Sequence, residues 1–315
     1  MAVASNQRLH KVDTVVVGEQ TDRGDVRMTG PDDGSGSDIA DEDLCVALGG
    51  ILDGYPALRS ALPSGYPSGL VTVERMRKFD QARRAPRGHW HLLNLAYALY
   101  LAAQDTWPDA RDVGASVLAT LDRFCSEFHR LPGFTSATRP LKKGIWKADD
   151  PEFWSVLAQA CVALLLHTNG FHVKGFSAVI PGGGQKDADI LVSSGSTDVY
   201  VDIVMKHRPK FATAEQAREE LRRHADEKIG SKFADSLPGG ITAMVIVVCV
   251  PQGVQLGVFA KEPSLLSALP GSNLERPDRV WANFFAMAGV RGNDGRLSWQ
   301  LLSRDKWATA NVSTA

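Results

Sequence analysis

The chain has 315 residues, 44% of them hydrophobic and 23% charged, with a formal net charge of −1. This is the balance of an ordinary globular chain. No apolar run approaches the roughly 18 to 20 residues that a membrane helix needs. Residues 1–11 carry no apolar segment of the secretory kind, so the expectation is a cytoplasmic protein without a membrane partner. The four cysteines, Cys45, Cys125, Cys161 and Cys249, are far apart and form no CxxC pair. Buried free thiols are expected from them, and no zinc site.

The charge is unevenly placed. Residues 1–43 carry ten acidic and four basic side chains, which leaves 26 acidic and 31 basic for the remainder. An acidic, Gly- and Ser-rich stretch that includes Gly30 to Ser37 has the composition of a flexible linker, so residues 1–42 are expected to be a disordered tail. The mildly basic body is compatible with a polyanionic partner.

From residue 43 to 145 the pattern predicts a helical N-terminal domain. Leu44, Ala47, Leu48 and Ile51 have helical spacing, with Gly49-Gly50 weakening the end of that segment. Pro56 to Gly69 reads as a loop, Val71 to Ala85 as a basic helix ending near Pro86, and Leu92 to Ala103 as a buried helix. Val117, Leu118, Leu121, Phe124, Cys125 and Phe128 trace a further helical stripe. Six basic residues between 74 and 87, and Lys142, Lys143 and Lys147 around Trp146, form two basic patches. Phosphate contact and a solvated surface are the two readings of such runs. His89-Trp90-His91 lacks a third ligand nearby for a metal.

Residues 146–315 carry the α/β pattern. Asp149-Asp150-Pro151-Glu152 is a helix start, with an acidic cap, proline at the first helical position and a carboxylate near the positive end of the dipole. The stripe from Phe153 to Leu165 buries one face, and Asn169-Gly170 ends the helix. Strands are predicted at Phe171 to Ile180, Asp187 to Ser193 and Asp198 to Lys206, joined by turns at Pro181 to Gly184 and Ser194 to Ser196. The glycine run lacks the GxxxxGK[ST] pattern of a phosphate-cradling loop. A helix over Ala214 to Phe233 follows, then an apolar central strand over Ile241 to Val250. Pro251-Gln252-Gly253 leads into an element at Val254 to Ala260, and the remaining expectations are a helix at Val280 to Ala288 and a strand at Leu297 to Leu302.

The order helix, strand, strand, strand, helix, strand, with an aspartate entering the second strand and an acidic residue in the third, resembles the core of the PD-(D/E)XK, or restriction-endonuclease-like, nuclease superfamily. The likeness covers residues 152–250. It implies an α/β fold with a mixed sheet in the order αβββαβ. It further implies a Mg²⁺- or Mn²⁺-dependent endonuclease acting on nucleic acid, DNA in preference, with self-association left open. Asp189 matches the aspartate of the PD motif, Asp202 the D/E, and Glu152 the acidic residue of the first helix. Asp189 and Asp202 are then the metal ligands, since carboxylates on adjacent strands suit an octahedral cation that keeps positions for water and phosphate.

Two departures from the pattern stand out. Ala188 replaces the proline that often precedes the aspartate, and Val204 occupies the position of the D/E-x-K lysine. Lys206, two residues on and on the same strand face as Asp202, is the candidate replacement, with Lys186 and Lys228 as alternatives. Val204 also motivates a second reading, an inactive nuclease-like module that binds nucleic acid or a protein. A third reading is an enzyme of another class on the same scaffold. An aspartate between Val201 and Ile203 in a strand calls for a ligand or for solvent.

Overall fold

A mixed β-sheet with helices on both faces organises the chain. The computed structural model describes residues 40–74, 96, 99–100, 108–142, 151–182, 186–207, 209–233, 242–269, 280–310 and 312–313. The acidic stretch up to residue 39, the basic run from Arg75 to Arg87, the His89–His91 pair, most of the Leu92 to Ala103 helix, and Lys143 to Lys147 lie outside them.

The N-terminal part contributes α1 (Asp41–Asp53), α2 (Pro56–Ala61), α3 (Pro108–Phe128) and α4 (Phe134–Ala137). Helix α1 begins on three acidic residues, which complement the positive end of the helix dipole. It runs on through Gly49-Gly50, because Leu48 and Leu52 on either side are fully buried and outweigh the glycines' cost. The segment expected as a loop from Pro56 contains α2. Pro56 presets the backbone of its first turn, and the Leu58 N–H, without an intrahelical partner, donates to Asp122 of α3 at 2.9 Å.

The second part reads α5 (Pro151–Thr168), β1 (His172–Val179), β2 (Asp187–Ser194), β3 (Thr197–Lys206), α6 (Ala214–Lys232), β4 (Thr242–Cys249), α7 (Val254–Lys261), β5 (Val280–Arg291), β6 (Leu297–Leu302), α8 (Arg304–Thr309) and β7 (Val312–Ser313). Strands β1 to β6 lie side by side in sequence order, and β7 adds to β5. The pairs β1–β2, β2–β3 and β5–β6 are antiparallel; β3–β4 and β4–β5 are parallel. The parallel β3–β4 pair requires a crossover, and α6 is that crossover.

Strand β4 is the centre of the sheet, and seven of its eight residues, Ala243 to Cys249, are inaccessible to solvent. Its alternate residues serve two cores. Met244, Ile246 and Val248 face the core that includes α1, α2, α3 and α5, whereas Ala243, Val245, Val247 and Cys249 face the one formed with α6, α7 and α8. The first core joins Leu44 and Phe124 to Phe176 and Ile190 without a break, so the N-terminal helices pack on the sheet itself.

Val280 to Ala288, expected as a helix, is instead part of β5. Trp281, Phe284 and Phe285 are strand formers, and the parallel register with β4 gives this segment backbone partners from Val280 to Ala286. At Val254 the chain forms the short helix α7. Cys125, Cys161 and Cys249 are buried free thiols, as expected, and Cys45 is half-buried. Burial pushes the Cys125 and Cys161 thiols up to about 12, which makes them poor nucleophiles.

Gly133 locks the N-terminal helices to the sheet edge. It precedes α4 at φ 76°, and a Cβ there would sit 1.8 Å from the carbonyl oxygen of Phe176 on β1. The adjacent Pro132 carbonyl accepts the Phe176 N–H at 2.8 Å. Only glycine combines that backbone conformation with so close an approach.

Candidate active site

The site lies where β2 and β3 part. Their pairing runs from Ser194–Thr197 to Ile190–Val201, and Asp189 and Asp202 are the next residues along. Beyond that point the Ile203 N–H turns to a side chain and donates to Asp189 Oδ2 at 2.6 Å. Across β1 the irregularity is mirrored at Ser177, whose φ of 48° places it in the left-handed region between the pairs Phe176–Ile190 and Ala178–Ala188. Strain of this kind in a non-glycine residue is found where surrounding structure holds it, often at functional sites. Gln159 of α5 fixes the start of β2 by donating to the Asp189 carbonyl at 2.7 Å.

Asp202 is wholly buried, and its charge is met from α6. Lys232 Nζ bonds to its Oδ1 and also donates to the Asp187 carbonyl at 2.6 Å. Lys228 Nζ stands 3.0 Å from its Oδ2, an ion contact without an aligned hydrogen bond. Both lysines come from the last turns of α6. There the buried stripe Ala217, Leu221 and Ala225 is continued at the next helical steps by Lys228 and Lys232. Their aliphatic stems extend the apolar stripe and their ammonium groups reach the carboxylate at its end. A buried carboxylate held by two cations meets the requirement that an aspartate inside a strand must have a partner.

Asp189 is half-buried and its carboxyl is close enough to that of Asp202 for the two to interact directly. Burial first, and the neighbouring Asp202 charge second, push its pKa up to about 7; the Ile203 N–H and Lys232 oppose the shift. Two carboxyls sharing one site resist ionising together.

A cleft of about 390 Å³ opens onto Asp189, with Asp202 buried behind it. Glu152, Ser155 and Gln159 from α5 line it, with Ser177, Asp189 and Lys228 from the other elements. Glu152, Asp189 and Asp202, 50 residues apart in the chain, thus belong to one region, with Glu152 on its exposed rim. Lys206 is elsewhere. It lines a second cleft with His224 and Glu227, and the charges acting on it are those of Arg223, Glu227 and Glu220. Lys186 is half-buried just before β2. The lysines that touch the acidic pair are therefore Lys228 and Lys232. Four-residue spacing alongside the apolar stripe of α6 is the sequence signal that points to them.

The cation that the resemblance implies would need hard oxygen donors here. Among the described residues no three His, Cys, Asp or Glu side chains are gathered in position for a metal ion. The Asp189–Asp202 pair nevertheless supplies hard oxygen donors, and Asp202 Oδ2 has no aligned hydrogen bond. Raised proton affinity at Asp189 follows from its burial and from the carboxyl of Asp202 beside it. These residues suit Mg²⁺ or Mn²⁺ and not a thiolate- or imidazole-seeking metal. With the geometry in hand, comparison with family models, curated proteins and solved structures finds no match for this chain.

Proposed function

We propose that the chain is a metal-dependent nuclease with a restriction-endonuclease-like core, in which Lys228 of α6 takes the lysine's part. The observation that carries this reading is the meeting of Asp189, Asp202 and Lys228 at the parting of β2 and β3, beside a cleft rimmed by Glu152. The succession α5-β1-β2-β3-α6-β4 supports this reading.

Asp189 and Asp202 would hold the cation and Glu152 would face it from across the cleft. The cation, when bound, polarises the phosphate and lowers the pKa of an attacking water. Asp189 must release its proton to become a ligand, and Lys232 and the Ile203 N–H favour that release. Lys228, which lines the cleft, is placed to orient a water and to balance charge developing on a phosphate. Gln159 and the Ile203 N–H hold Asp189 in place without taking part in proton transfer.

A second reading has its own support. Asp202 is fully buried and already neutralised by two lysines, which is the arrangement of a nuclease scaffold that has kept its fold and binding surface without chemistry. Incubating the full chain with linear and plasmid DNA and with RNA, in Mg²⁺ or Mn²⁺, separates the two. The nuclease reading expects cleavage that is lost in Asp189→Asn and Lys228→Ala and kept in Lys206→Ala. Binding without cleavage of any substrate would establish the second reading, and cleavage that survives Asp189→Asn would refute the site.

A further inference from the structure

The second cleft, of about 300 Å³, is lined by residues 203–206 of β3 and by His224, Glu227, Lys228 and Ser231 of α6. It adjoins the first, because Ile203, Met205 and Lys228 line both. Its charges are unequally committed. Glu227 is tied to Arg223 at 2.6 Å and to His224 at 3.3 Å, and Glu220 accepts the Lys210 N–H at 3.2 Å. Lys228 is committed to Asp202. The Lys206 ammonium makes no hydrogen bond or ion pair with any described residue, although it is half-buried.

A partly desolvated cation without a partner is costly, and the cost is recovered when an anion enters. Ser231 and His224, on the same wall, are already engaged: the Ser231 hydroxyl donates to the Lys228 carbonyl at 3.2 Å, and the two His224 ring nitrogens face Glu227 and Arg223 at 3.3 and 3.1 Å, which leaves Lys206 as the uncommitted donor among the described residues of the cleft. We propose that this cleft binds a backbone phosphate of the nucleic acid, on the same strand as the scissile phosphate and a few nucleotides from it, with Lys206 as its main contact. The proposal rests on the nuclease reading and adds a subsite to it. Lys206 stands four residues beyond Asp202, roughly 13 Å along an extended strand at about 3.3 Å per residue. That is too far to serve the reacting phosphate and within reach of a neighbouring one. Lys206 is in this view a binding residue, and the chemistry stays with Asp189, Asp202 and Lys228.

The test measures binding of a fluorescent DNA duplex to the full chain by anisotropy, in chelator, at about 50 and about 200 mM salt. Each phosphate neutralised adds about 0.9 to the salt exponent, so losing one contact changes the response to a fourfold salt increase by about 3.5-fold. Lys206→Ala should therefore weaken binding at low salt, with its deficit shrinking about 3.5-fold at the higher salt. Lys206→Arg should restore most of the affinity, and Lys261→Ala, at the exposed end of α7, should change nothing. In the cleavage assay Lys206→Ala should raise KM and leave kcat near wild type. Wild-type affinity and salt slope in Lys206→Ala, with cleavage still dependent on Asp189, would overturn the subsite and leave the nuclease reading standing. Absence of DNA and RNA binding by the wild type would remove the nuclease reading and the subsite with it. If inorganic phosphate still stabilised that protein through Lys206, the cleft would be a site for free phosphate and the backbone assignment would be overturned.

Discussion

Replacing Lys232 with methionine tests the electrostatic core of the site most directly. Methionine keeps an unbranched stem against the apolar stripe of α6 and removes the ammonium. Two charge-assisted bonds disappear, one to Asp202 and one to the Asp187 carbonyl. At about 1.5–3 kcal/mol each their gross worth is about 3–6 kcal/mol. Lys228 remains 3.0 Å from Asp202 and the Lys232 side chain is 22% exposed, so retained pairing and water recover part of this. The expected loss is about 3 kcal/mol, at the lower end of the range for breaking a buried ion pair. Urea denaturation in chelator, followed by circular dichroism, measures it. Adding Asp202→Asn to Lys232→Met removes the stranded charge, so the double variant should be more stable than the sum of the singles by about 2 kcal/mol. Mn²⁺ should then stabilise Lys232→Met more than wild type, because the ion takes the place of a competing ammonium. Saturation at about 100 times Kd is worth about 2.7 kcal/mol. A loss below about 0.5 kcal/mol, or no coupling to Asp202, would show that Lys232 does not sustain a buried carboxylate and would refute the reasoning.

Three further outcomes are expected. Asp189 binds its proton more tightly in the folded chain than in the unfolded one, so its contribution is fully present below the ordinary carboxylate range and is lost as pH rises to about 7. In chelator, wild-type stability should fall across that window relative to Asp189→Asn; parallel pH profiles would count against a shared carboxyl site. Gly133→Ala should cost about 2–5 kcal/mol, combining the left-handed backbone with a 1.8 Å clash on the Phe176 carbonyl, and a shift within error in urea midpoint would contradict the packing. Phe124→Ala, removing a buried ring that packs on Phe128, Phe134 and Phe176 at 5.3–5.6 Å, should cost about 3–5 kcal/mol, read from the same denaturation curves.

Local pattern by itself determined the elements of residues 151–250. Proline and acid at its start bounded α5, alternation bounded β2 and β3, and an unbroken apolar run marked β4 as the doubly covered central strand. Those signals are carried by residues within a few positions of each other. The same local reading failed at Val280 to Ala288, whose apolar run fits either a helix or a strand until β4 supplies partners for its backbone. It also passed over α2, whose N-terminal N–H is satisfied by Asp122, 64 residues away.

The acidic members of the site were legible because carboxylates among β-branched residues break a local rule. Their cations were legible only in part: Lys228 stood among the alternatives to Lys206, whereas nothing within β3 singles it out or marks Lys232. Lys206 is closer to Asp202 in sequence, yet the strand carries it away at about 3.3 Å per residue. The β3–α6–β4 crossover instead folds the end of a helix back over the strand and brings in Lys228 and Lys232, 26 and 30 residues further on, to the buried carboxylate. Which lysine meets Asp202 is thus decided by the parallel strand pairing, since a parallel pair needs a crossover and here the last turns of the crossing helix lie against β3.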